Sequence, residues 1–127
     1  MKPALASRGA HAALVLLWWG TVAASLHDGG AAGIAMLQRA TSMSAGTALI
    51  VVLLGCAWDA AIGLWLLLRP GRLAYRTAAA GVVGMTLLAT LLAPRLWLDP
   101  FAPLLKNLPL LALLALLDAR AQEDLTR

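Results

Sequence analysis

Charge is scarce in this chain. Of 127 residues, 13% are Asp, Glu, Lys or Arg and 61% are hydrophobic, and the mean hydropathy is +0.82. Soluble domains carry about 25% charged and 45–50% apolar residues, so the composition indicates an integral membrane protein. Cysteine is nearly absent. The single Cys56 excludes an intramolecular disulfide, a CxxC redox pair and any thiolate cluster built from this chain alone. The two histidines, His11 and His27, do not fall on one local helical face, which argues against a bis-histidine haem or zinc site, and no metal is expected. There is also no basic patch with interleaved aromatics. The net charge of +4 comes from bases that flank apolar runs, which reads as membrane topology rather than nucleic-acid binding. The length suits one domain, and no stretch is left for a soluble catalytic domain, so no catalytic residue is assigned.

What is present is a series of apolar runs long enough to cross a bilayer, at roughly 20 residues per helical span. The expected fold is all-α: a single membrane four-helix bundle over residues 1–127, with spans at about 10–26, 45–68, 73–93 and 100–118. A basic start, an apolar run and Val22-Ala23-Ala24 also describe a signal peptide. The length of that run, its Trp18-Trp19 pair and the spans that follow favour an uncleaved first helix. His27-Asp28-Gly29-Gly30 breaks the chain, and residues 31–40 read as a short interfacial helix that Asp28 could cap. Arg69-Pro70-Gly71-Arg72 stops the second span and Pro94 the third. Four spans put Lys2, Arg8, Arg69, Arg72, Arg76, Arg120 and Arg127 on one side, against Arg39, Arg95 and Lys106 on the other. The positive-inside rule then places both termini in the cytoplasm.

Asp59 is the most expensive residue. An aspartate near the middle of a span costs about 2.5–3.5 kcal/mol on the insertion scale. Gly55, Asp59 and Gly63 fall at i, i+4 and i+8, so this face should meet another backbone and turn Asp59 into the bundle. There it is either a proton-bearing or ligand-orienting carboxyl, or a structural acid bonded to Thr86, Thr90 or an indole. The second candidate region is Trp97-Leu98-Asp99-Pro100-Phe101-Ala102-Pro103-Leu104-Leu105-Lys106-Asn107-Leu108-Pro109. A helix starting near Pro100 would cap on Asp99 and carry Lys106 about 9 Å inward, from where it snorkels back toward Asp99. Asn107 would need partners in the bundle, and Pro109 would free the Leu105 carbonyl and kink the helix. Asp59, Lys106, Asn107, Trp97 and Asp99 are therefore the candidate ligand-binding residues. His11 could reach Arg-rich loops or lipid head groups. Cys56 reads as an inert small hydrophobe, and Trp18-Trp19 as packing and lipid contact.

The segment from Trp97 to Pro109 closely resembles a signature of the DoxX-like family of small bacterial membrane proteins. The nearest subgroup also occurs fused behind NAD-dependent epimerase or reductase-like domains. The resemblance implies a multi-pass protein of the bacterial inner (plasma) membrane. Name-giving relatives look like quinone-linked subunits of sulfur or quinol oxidoreductases, and others are linked to oxidant and thiol stress. It thus implies an accessory or anchoring subunit, with little activity of its own, for a separate quinone- or NAD(P)H-linked partner. Quinone is the implied cofactor, with nothing held covalently. The implied partners are the lipid bilayer, a cytoplasmic or membrane oxidoreductase and a second copy of the chain. Two other readings stand beside it. One is a proton-coupled transporter using Asp59, although small multidrug exporters place their acid in the first helix and here that helix has none. The other is a purely structural membrane protein.

Overall fold

The computed structural model describes residues 3–98 and 104–126. Five α-helices follow in order: α1 (Pro3–Leu26), α2 (Ala31–Ala40), α3 (Ala45–Leu68), α4 (Arg72–Leu92) and α5 (Asn107–Leu125). A short 3-10 turn, Pro94–Trp97, leads out of α4, and no strand occurs among the described residues.

Local chemistry sets these boundaries. Ser44 Oγ accepts the Thr47 N–H at 3.2 Å and starts α3. Pro70 and Gly71 separate α3 from α4, and Ala93 leaves the helical region (φ −146°, ψ 69°) because Pro94 follows it. The turn before α2 needs its glycines, since Gly29 and Gly30 hold φ of 69° and 85°. Asp28 caps α2 across that turn, its carboxylate accepting the Gly30 and Ala32 N–H groups at 3.0 Å each. The Ala32 N–H, aided by that of Gly30, holds the Asp28 carboxyl below the ordinary aspartate range.

Two expectations need correction. Among the described residues there are five α-helices rather than the four of the expected bundle: the short helix expected at residues 31–40 forms and packs on α3, where a side chain at Gly33 would meet Val52. The last helix begins at Asn107, well after Pro100. Its apolar stretch, Asn107 to Leu117, rises only roughly 17 Å before Asp118. Among the described residues three helices are long and apolar enough to cross a membrane: Leu5–Leu26, Ala45–Leu68 and Arg72–Leu92. Asp99, Pro100 and Pro103, with the expected cap and first turn, lie outside the described residues, as do Lys2 and Arg127.

The helices associate as two pairs, α1 with α3 and α4 with α5, joined by lighter contacts between α3 and α4 and between α1 and α5. One half of the bundle is closed. Its core is Leu14 and Trp18 of α1, Ile62 and Leu66 of α3, Ala74, Tyr75 and Ala78 of α4, and Leu114 and Leu117 of α5. Gly63 permits the α1–α3 approach, since a Cβ there would stand 3.1 Å from the Trp18 Cβ and from the Trp19 indole nitrogen.

Polar ties reinforce this half. Asp118 accepts from Arg72 Nε at 3.3 Å and Arg76 Nε at 3.2 Å, locking α5 to α4. His11 Nδ1 and the Tyr75 hydroxyl share a hydrogen bond of 3.0 Å that joins α1 to α4, with the rings edge-on at 82°. The starts of α1 and α4 and the end of α5 are thereby gathered at one Arg-rich end. Cys56 is buried and unpaired.

Candidate functional site

Beyond the closed half the two pairs diverge and leave a cleft of about 520 Å³. All four long helices line it. Leu17, Trp18 and Thr21 come from α1, Trp58 and Asp59 from α3, and Gly81, Val82 and Met85 from α4, while Lys106, Asn107 and Leu110 come from the start of α5. Two glycines explain its shape. Gly63 lets Trp18 settle against α3, and Gly81 lies so close to the Trp58 ring that a Cβ would fall 2.8 Å from its nitrogen. Volume and lining match small-molecule sites, which are apolar concavities of about 300–1,000 Å³ with a few polar groups.

Asp59 and Lys106 therefore share one cavity, although no ion pair or hydrogen bond joins them. Asp59 is half-buried and makes no hydrogen bond among the described residues. Its expected structural partners are engaged elsewhere. Thr86 Oγ1 donates to the Val82 carbonyl at 2.7 Å and accepts from Asn107 Nδ2 at 2.7 Å. Thr90 Oγ1 donates to the Thr86 carbonyl at 2.7 Å and accepts from the Trp97 indole N–H at 3.0 Å. Every buried polar side-chain atom among the described residues has a partner. The Asp59 oxygens have none, so they are accessible from the cleft.

The same ladder gives Asn107 and Trp97 structural duties. Trp97 is not among the residues lining the cleft; its indole pins the 3-10 turn to α4. Asn107 ties the start of α5 to α4, and its Oδ1 makes no hydrogen bond among the described residues. Lys106 is not 9 Å inside a helix. It stands immediately before α5, exposed, at the mouth of the cleft. Pro109 frees no carbonyl, because it occupies the first turn, where an N–H has no intrahelical partner. The Leu105 carbonyl accepts the Leu108 N–H at 3.2 Å.

Three contributors were not foreseen. Trp58 adjoins Asp59 in sequence, and that adjacency was the available signal. Thr21 gave none, since its hydroxyl bonds the Leu17 carbonyl within its own helix. Trp18 is both core and cleft wall. No group of three His, Cys, Asp or Glu is placed to hold a metal ion among the described residues.

Three apolar helices long enough to cross a bilayer, with a partly polar cleft between helix pairs, define a small multi-pass membrane protein. The chain belongs to the DoxX-like family, whose sequence pattern it matches over residues 13–115. No curated protein and no solved structure matches it.

Proposed function

We propose that this chain is an accessory subunit that receives a quinone head group in its central cleft and serves a separate oxidoreductase. The observation that carries the reading is the convergence of Asp59, Lys106 and Asn107 with two indoles on one cavity. Trp18, Trp58, Val82, Met85 and Leu110 give a flat ring apolar walls. The Lys106 ammonium is a donor for a ring carbonyl oxygen. The Asp59 carboxylate and Asn107 Oδ1 are acceptors for the hydroxyls of the reduced form. The cleft lining comes from all four long helices, so in this reading a membrane-dissolved ligand enters from the bilayer. In this reading α5 is the fourth membrane-embedded helix of a bacterial inner-membrane protein. The Arg-rich end then lies in the cytoplasm with both termini, where an oxidoreductase would dock.

Tryptophan fluorescence in lipid nanodiscs tests this directly. A short-tailed benzoquinone should quench the indoles saturably, and Asp59→Asn and Lys106→Met should each weaken binding about tenfold. Non-saturating quenching, identical in the three proteins, would reject the site.

A second reading is favoured by one observation: Asp59 has no partner among the described residues and lines an open cleft. A carboxyl so placed suits a proton-coupled transporter. Uptake into proteoliposomes under a pH gradient, compared between wild type and Asp59→Asn, decides it, and equal uptake removes Asp59 from any transport mechanism.

A further inference from the structure

Another cavity, of about 350 Å³, lies at the Arg-rich end and is lined by three helices and the turn between α3 and α4. Arg8 comes from the start of α1 and Arg120 from the end of α5, so two guanidiniums from opposite ends of the chain border one space. Ser7, His11 and Tyr75 add polar groups, and His11 and Tyr75 are fixed by their mutual hydrogen bond. Leu117 and Ala121 supply an apolar wall. Among the described residues Asp124 is the one acid in the lining, while the neighbouring Asp118 is shared by Arg72 and Arg76. A guanidinium carries five N–H donors in a planar fork that matches phosphate oxygens, so Arg120 can keep its existing contact and still donate, with Arg8, to an anion in this space. The cavity sits at the ends of the membrane-length helices, the level of lipid head groups, where basic pockets between helices capture anionic head groups.

We infer that this cavity is a phosphate-binding site, with Arg8 and Arg120 as its clamp, the His11–Tyr75 pair as a preorganised wall and a membrane-anchored or soluble phosphate ester as ligand. The site is separate from the central cleft and does not depend on what binds there.

Purified protein in maltoside micelles would be titrated with phosphatidylglycerol, phosphatidylcholine or soluble glycerol 3-phosphate. Bound ligand would be read by native mass spectrometry and by the thermal unfolding midpoint. Phosphatidylglycerol should be retained about tenfold more tightly than phosphatidylcholine, and Arg8→Gln should erase that preference. Arg8 is exposed, so its loss leaves the fold intact; Arg8→Lys should restore part of the binding, and Arg120→Gln provides an independent second variant. Arg95→Gln, at the opposite end, should change nothing. Arg8-dependent binding of glycerol 3-phosphate alone would support the site and identify its ligand as soluble. Equal binding of both lipids, or phosphate binding insensitive to both Arg8→Gln and Arg120→Gln, would overturn it.

Discussion

The two halves of the bundle are built from the same four long helices and behave as opposites. In the closed half nine buried side chains meet, and its polar groups are paired, as in Arg72 and Arg76 on Asp118 and His11 on Tyr75. In the open half Asp59 and Lys106 face a cleft and pair with no side chain among the described residues. A carboxyl without a side-chain partner among the described residues is a standing cost at membrane depth, where an apolar residue would carry none. The contrast separates side chains that hold the bundle together from those that remain available to a ligand.

The largest effect should come from forcing the closed half apart. Gly63→Leu would drive a side chain into the Trp18 Cβ, an atom with no freedom to retreat. Overpacking of this kind costs about 1–3 kcal/mol, visible as a lower thermal unfolding midpoint in detergent. Gly81→Ala meets a closer neighbour, at 2.8 Å against 3.1 Å, but the Trp58 residue it would push is 44% exposed and borders the cleft. It should cost less than Gly63→Leu and mainly reshape the cavity. The reverse order of midpoints would mean that the open half, not the closed one, carries the stability.

The ion-pair tie comes next. Asp118 is largely covered and serves two arginines, yet Arg76 is 61% exposed in its side chain. Solvent screening therefore holds the expected loss for Asp118→Asn to about 1 kcal/mol. The difference from wild type should shrink in 0.5–1 M salt. A salt-independent loss would point instead to packing of the Asp118 side chain.

Smaller still is the polar ladder at the edge of the open half. Thr86→Val removes the acceptor for Asn107, and interhelical hydrogen bonds in membrane proteins average about 0.6 kcal/mol. A double-mutant cycle of Thr86→Val with Asn107→Leu should show a coupling of that order. A coupling near zero would return Asn107 to the group of side chains free for a ligand.

These comparisons also show why parts of the molecule were legible in the sequence and others were not. The limits of α3 and α4 could be read to within a residue because Arg69-Pro70-Gly71 and Pro94 are steric stops that act locally. The start of α5 could not, because Pro100, Pro103 and Pro109 are each acceptable in a first turn and local chemistry does not choose among them. Asn107 invited a functional reading because its partner, Thr86, sits in another helix and depends on how α4 and α5 register. Asp59 was recognisable from its cost alone. That it would share a cavity with Lys106, and that Thr86 and Thr90 would be taken by Asn107 and Trp97, follows from helix pairing, which composition and periodicity do not encode.

The mildest test lies outside both halves, at the turn before α2, where a charge is paired with backbone rather than with another side chain. The Asp28 carboxylate accepts two backbone N–H groups, and its pKa is thereby lowered in the folded state. At pH values above the ordinary aspartate range both folded and unfolded chains are ionised, and the cap contributes fully. As pH falls, the unfolded chain takes up its proton first, so the contribution fades and is lost once pH passes below the folded pKa. The Gly30 and Ala32 amide resonances should therefore titrate together, with a midpoint below that of an unstructured aspartate. In Asp28→Asn these pH-dependent shifts should vanish while α1, α3 and α4 keep their own resonances. A midpoint at or above the ordinary value would show that the carboxylate does not hold these two amides in the membrane-bound protein, and that the α2 turn rests on its left-handed glycines alone.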